Sequence, residues 1–186
     1  MHHPVHQRRS IRLPDWDYGQ GVYFVTLVSK NRMDLFGRIE NGQMRLNDIG
    51  RCAAGVLTSL HRHFSMRLDT WIIMPNHLHC ILEIHRTGEA SDVSHKIMIR
   101  PNILDASPQR PIGTNPGSLG AIIQNFKSIS TRKINTIRRT PGAHVWQRNY
   151  YEHIIRDEVD WQAIADYIEN NPSKWAEDRE NQSRFQ

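Results

Sequence analysis

The stretch Met74-Pro75-Asn76-His77-Leu78-His79-Cys80-Ile81-Leu82-Glu83-Ile84 decides how this chain is read. After the turn dipeptide Pro75-Asn76 it becomes an apolar run of strand character, with two histidines at its start. Residues two apart on a strand share a face, so His77 and His79 project together while Leu78 and Cys80 turn away. Two imidazoles on one side of a rigid strand can hold a divalent metal ion. The same pattern also arises by chance on a half-buried strand. His61-Arg62-His63 is a control, because it falls in a helical stretch, where neighbours two apart do not face each other.

Outward from that strand, residues 67–74 read as its antiparallel partner across the Pro75-Asn76 turn. Residues 21–30 form another buried strand, and Glu40-Asn41-Gly42 marks a short hairpin within 36–48. Cys52, Ala53, Val56, Leu57, Leu60 and Phe64 give residues 49–64 helical spacing. Leu119, Ile122, Ile123, Phe126, Ile129, Ile134 and Ile137 mark a second helix with a basic face. Residues 145–155 are dense in aromatic and polar side chains and read as extended. Asp157 can cap a last helix with Glu158 and Asp160 in its first turn, and Pro172 ends it near Asn170 or Asn171. The order strand, helix, strand, strand, helix, strand, helix predicts an α+β fold of split β-α-β type: an antiparallel sheet with helices packed on one face. The opposite face can then be left available for a substrate.

The 186 residues suit a single domain, 1–186, with 38% hydrophobic and 23% charged residues. Residues 1–8 read as a mobile tail, and 86–118, rich in Pro, Gly, Ser and Asn, as a loop insertion. There is no apolar run of membrane-spanning length and no apolar core in the N-terminal segment to make a secretory signal. Two cysteines, Cys52 and Cys80, sit in apolar contexts without metal-type spacing, which suits reduced core thiols in a cytoplasmic protein. The net charge of +5 favours a polyanionic partner, and the basic residues cluster at Arg8, Arg9 and Arg12 and again from Lys127 to Arg139.

Tyr167 and Asn171 stand four apart on the last helix and so share a face, where a phenol and an amide oxygen can approach one ion together. An isolated tyrosine in that position is ordinarily a packing residue.

Three blocks occur in order: Met74-Pro75-Asn76-His77-Leu78-His79; Trp146-Gln147-Arg148-Asn149-Tyr150-Tyr151-Glu152-His153-Ile154-Ile155-Arg156; and Tyr167-Ile168-Glu169-Asn170-Asn171-Pro172. With Arg9-Ser10-Ile11-Arg12-Leu13-Pro14 and Tyr23-Phe24-Val25-Thr26, they resemble the REP-associated tyrosine transposases, relatives of the single-tyrosine HUH-type transposases of bacterial insertion sequences. The resemblance covers residues 8–174 apart from the insertion. It implies a ferredoxin-like α+β fold whose C-terminal helix carries the nucleophile, Tyr167. It implies His77 and His79 as metal ligands, with Asn171 as the third, amide ligand.

The implied activity is metal-dependent cleavage and rejoining of single-stranded DNA at palindromic, REP-like hairpins with a flanking guide sequence. It runs through a 5′-phosphotyrosine and serves DNA transposition or REP mobilisation. Mg²⁺ or Mn²⁺ is the expected ion, manganese being the more tolerant of imidazole. Arg12, Lys127, Arg132, Trp146, Arg148, Tyr150 and Arg156 are the expected DNA contacts, by charge and base stacking. Tyr150 and Tyr151 are rival nucleophiles without a ligand at helical spacing, and are assigned to packing or DNA contact. A monomer is expected, although insertion-sequence relatives share sites between the subunits of a dimer. Two alternatives stay open: a phosphoesterase in which water attacks, and a hairpin-binding protein that does not cut.

Overall fold

The computed structural model describes residues 16–85, 115–178 and 180–181. Arg12, the tail and most of the insertion lie outside them. The elements are β1 (Gly21–Val28), β2 (Gly37–Glu40), β3 (Gln43–Leu46), α1 (Asp48–Ser59), β4 (Met66–Ile73), β5 (His77–Ile84), α2 (Leu119–Arg138), β6 (Tyr151–Ile155) and α3 (Glu158–Asn170). Four strands form an antiparallel sheet in the order β4-β5-β1-β6, and β2 and β3 pair separately as a hairpin. This is the expected split β-α-β sheet: β1 and β5 at the centre, β4 and β6 at the edges.

The alternation of β1 and β5 divides two apolar clusters. Tyr23, Val25 and Leu27 of β1 and Leu78, Cys80 and Leu82 of β5 face α1 and α2, meeting Ala53, Val56, Leu57, Ile122, Ile123 and Phe126. Trp146 is part of this core. Its ring stacks on Phe36 with centroids 4.9 Å apart, lies 5.3 Å from Phe126, and donates Nε1–H to Ser130 Oγ at 2.9 Å. The other face of the sheet carries Phe24 and Ile81, which pack with Ile155, Ala165 and Ile168. α3 therefore packs on the face opposite α1 and α2, so the helices are not all on one side of the sheet. Trp161, Ile164, Ala165 and Ile168 form the stripe of α3, and an exposed apolar sheet face is the surface such a stripe buries.

Local signals account for the element ends. Asn47, Ser118 and Asp157 cap α1, α2 and α3, each accepting the backbone N–H three residues on. In the hairpin turn, Asn41 (φ 50°) and Gly42 (φ 70°) both adopt the left-handed conformation that a two-residue turn of this hand requires. α1 stops at Ser59 and tightens into a 3-10 turn, Leu60–Arg62. His61 lies in that turn and His63 caps it, and both are exposed.

The β4–β5 turn is fully buried at Met74 and Asn76, which is tolerable because its carbonyls are answered. Phe36 N–H donates to Pro75 O at 2.9 Å and Ser29 N–H to Asn76 O at 2.7 Å. The turn that introduces the histidines is thus clamped by the chain leaving β1.

Candidate metal and tyrosine site

Strand alternation and the turn put His77 and His79 side by side, ring centroids 4.5 Å apart, on the face that α3 covers. Both are buried, at 0% and 4% exposure. Burial holds the His79 imidazole well below its usual pKa, with the neighbouring His77 adding to the effect. Burial also lowers His77, against the opposing influence of Asp178, Glu180 and the Asn171 amide. Both rings are therefore neutral near pH 7, the state that ligates a metal.

Second partners fix which nitrogen of each ring carries the proton. The fully buried Asn76 donates through Nδ2 to Arg32 O (3.2 Å) and Glu180 O (2.7 Å), which leaves its Oδ1 facing His77 Nδ1 at 2.9 Å. A carbonyl oxygen can only accept, so Nδ1 holds the proton and Nε2 presents a lone pair. His77 Nε2 has no hydrogen-bond partner and no contact with solvent. His79 Nδ1 meets Thr26 Oγ1 at 2.8 Å, the cross-strand neighbour set by the β1–β5 register. That hydroxyl can accept from Nδ1 and leave a lone pair on His79 Nε2 as well.

α3 adds the other groups. The Tyr167 hydroxyl reaches His79 Nε2 at 3.4 Å, a long contact, and its ring lies 5.2 Å from the imidazole. Tyr167 is 45% exposed, so the hydroxyl stands between the buried histidines and solvent. Asn171, the C-cap of α3, is 3% exposed. Its Nδ2 donates to Asp178 Oδ2 at 3.1 Å, and its Oδ1 has no partner.

Two buried acceptors, His77 Nε2 and Asn171 Oδ1, are thus left unsatisfied in one place, where such atoms ordinarily find a partner. A divalent cation is the partner that suits two lone pairs with no proton between them. His77, His79 and Asp178 also each offer a ligand atom, and the three atoms lie within 4.8 Å of one another. The residues present fit a metal ion.

The structure brings His77, His79, Tyr167 and Asn171 together. It separates the expected DNA contacts into two sets. Arg132, Arg148 and Arg156 are exposed. Trp146, expected to stack on bases, is a core residue with its ring enclosed by Phe36 and Phe126. Lys127 is engaged within the fold: its ammonium donates to the carbonyls of Gln147 (2.8 Å), Arg148 (3.2 Å) and Asn149 (3.1 Å). Its pKa is lowered to about 8 by burial. It lies 5.5 Å from the ring centre of Tyr150, which packs half-buried against the core.

The exposed aromatic beside the site is Tyr151. It pairs with Thr26, so it shares the face of His79, and it makes an edge contact with Phe24 at 6.1 Å. Phe24 in turn touches both His79 and Tyr167.

Sequence reasoning gave no role to Thr26, Asn76 or Asp178. Thr26 was visible as the polar interruption of an apolar strand, and Asn76 as the residue before His77. Asp178 follows Asn171 by seven residues, a spacing that signals nothing.

The chain superposes on the structure of a REP-associated tyrosine transposase bound to a REP hairpin with a TM-score of 0.58, at 18% identity, over 90% of this chain and 74% of that one. The chain therefore shares the fold of that transposase. It is 42% identical over 180 residues to an uncharacterized protein of Haemophilus influenzae, covering 94% of this chain and 93% of the relative, and belongs to one family with it. No family model matches the chain. No helix among the described residues is long and apolar enough to cross a membrane.

Proposed function

We propose that this protein is a metal-dependent DNA strand transferase that cuts and rejoins single-stranded DNA beside palindromic hairpins, with Tyr167 as its nucleophile. One observation carries the reading: the Tyr167 hydroxyl stands 3.4 Å from His79 Nε2, beside the bare acceptors His77 Nε2 and Asn171 Oδ1. Nucleophile and ligand set adjoin within one chain, which supports a monomer as the working unit.

His77, His79 and Asn171 would hold Mg²⁺ or Mn²⁺. Such an ion, when bound, supplies Lewis acidity to a scissile phosphate oxygen. The chain's own residues do the rest. Asn76 and Thr26 keep the imidazole lone pairs directed at the site. α3, seated on the sheet through Ala165 and Ile168, fixes the position of the phenol.

Tyr167 Oη forms a bond to phosphorus as the bond from phosphorus to the leaving 3′ oxygen breaks. The phenol proton passes to solvent and the 3′ oxygen leaves as a hydroxyl, so the DNA 5′ end stays on the protein. Reversal by a 3′ hydroxyl rejoins DNA without an external energy source. Exposed Arg132, Arg148 and Arg156 would meet backbone phosphates. The biological use would be transposition or mobilisation of REP-like elements.

The test is a denaturing gel of labelled hairpin DNA with its native flanks, incubated with protein and Mn²⁺ or Mg²⁺. A labelled band at protein mass, lost in both Tyr167→Phe and His77→Ala, is expected. Cleavage that survives Tyr167→Phe would instead make water the attacking group. Binding without cleavage, on a pool of randomised flanks, would leave a hairpin-binding protein.

A further inference from the structure

The three-residue segment that follows α3 and its flanks hold a group outside the ligand set named above. Trp175–Glu177 forms a 3-10 turn, and Asp178 comes directly after it. Glu180 anchors this strap, pairing with Arg32 at 2.6 Å while its backbone oxygen accepts from Asn76. Trp175 lies against His77, ring centroids 5.9 Å apart. The strap is therefore held on the histidine pair from both ends. It carries the Asp178 carboxylate to within 4.8 Å of the ligand nitrogens of His77 and His79.

We propose that Asp178 is a fourth protein ligand of the metal ion, joining His77, His79 and Asn171; this rests on the metal-site reading above. Neighbouring ligand atoms on one octahedral ion at about 2.1 Å stand about 3 Å apart, and opposite ones about 4.2 Å. Small side-chain adjustments bring the three atoms into that range. Each carboxylate oxygen already accepts one hydrogen bond, Oδ2 from Asn171 Nδ2 and Oδ1 from Glu180 N–H at 2.7 Å, and each retains a lone pair. The bare His77 Nε2 and Asn171 Oδ1, both on residues more than nine-tenths buried, independently mark the place where a cation is wanted.

The chemistry favours a carboxylate there. Two imidazoles and an amide leave the full double charge of the ion uncompensated in a buried site. Asp178 halves it and adds the oxygen donor that manganese and magnesium prefer. Four protein ligands still leave two of six positions for substrate.

The test is Mn²⁺ titration of the full chain, reading free Mn²⁺ by electron paramagnetic resonance, with no DNA present. Wild type, Asp178→Asn, Asn171→Ala, the double variant and His77→Ala are compared, and urea midpoints establish that each folds. The expected result is loss of binding in His77→Ala and at least tenfold weaker binding in Asp178→Asn. The double variant should be weaker again than Asn171→Ala, since a carboxylate that binds the ion itself still contributes once its hydrogen bond from Asn171 is gone; the two factors are not expected to match, because the residues are in contact.

Unchanged affinity in Asp178→Asn would overturn the proposal and leave the three-ligand site standing. A double variant no weaker than Asn171→Ala would also overturn it, making Asp178 a residue that only positions Asn171. No Mn²⁺ binding by the wild type would overturn both the proposal and the site reading.

Discussion

Replacing Asn76 by alanine should cost the protein both stability and metal affinity, through a change in one proton's address. Asn76 makes three side-chain hydrogen bonds from a fully buried position, to His77 Nδ1, Arg32 O and Glu180 O. Without it, His77 Nδ1–H is stranded in the interior, at about 1–3 kcal/mol, and two carbonyls lose a donor at about 0.5–1.5 kcal/mol each. The sum, about 2–6 kcal/mol, is a large part of the stability of a domain of this kind, about 5–15 kcal/mol.

The imidazole has one escape. It can move its proton to Nε2 and donate to Asn171, whose Oδ1 lacks a partner and whose amide already acts on His77. That bond would satisfy both bare acceptors at once and close them to metal. Loss of such an outer partner typically weakens metal binding about 10–100-fold. Urea unfolding of the metal-free protein reads the first effect and Mn²⁺ titration the second. Nitrogen-15 NMR of the imidazoles shows which nitrogen holds the proton. Mn²⁺ affinity within twofold of wild type, with the proton still on Nδ1, would refute the reasoning.

Three further outcomes are expected. In α1, Gly50→Ala should destabilise by about 1–3 kcal/mol, since its Cβ would stand 2.1 Å from Phe36 O, whereas Gly55→Ala meets nothing within 4 Å and should stabilise by about 0.5–1 kcal/mol; thermal melts of the pair check the contrast. Burial pushes the Cys80 thiol up to about 12 from 9.0, so the unfolded chain ionises first and stability falls as pH rises past 9, by up to about 1.4 kcal/mol per pH unit. Urea midpoints from pH 8.5 to 10.5 should accordingly slope less in Cys80→Ala than in wild type, and equal slopes would contradict this. Tyr151→Ala should weaken binding of single-stranded flanks about 5–100-fold with Tyr151→Phe near wild type, read by fluorescence anisotropy, because an exposed ring that shares Phe24 as a neighbour with Tyr167 can stack a base.

Where a single periodicity governed the outcome, the sequence was easily read. The two-residue repeat of β5 placed His77 and His79 on one face and Leu78 and Cys80 on the other. The capping Asp157 and the proline at 172 bracketed α3, and the four-residue step put Tyr167 and Asn171 on the same side of it. The rest depended on contacts between distant segments. Trp146 was read as a DNA-stacking residue because aromatic residues amid polar ones look alike on a surface and in a core. Only the approach of Phe36 and Phe126, from 110 residues before and 20 before it, decides between them.

Lys127 looked like one more charge on a basic helix face, yet three backbone oxygens of the segment before β6 converge on it. α3 buries its apolar stripe on the sheet face opposite α1 and α2, and the stripe alone does not say which face that is. Asp178 reaches the histidines because Arg32 and Asn76 fasten the strap after α3, a closure that no local spacing records.

The most direct test of the account is the chemical identity of the bond between protein and DNA. The protein would be incubated with Mn²⁺ and single-stranded hairpin DNA carrying its flanks, then digested with nuclease and trypsin and examined by mass spectrometry. The account predicts a nucleotide attached through phosphate to Tyr167, and no such peptide from Tyr167→Phe. The same adduct on Tyr150 or Tyr151, or cleaved DNA with no adduct on any tyrosine, would contradict it.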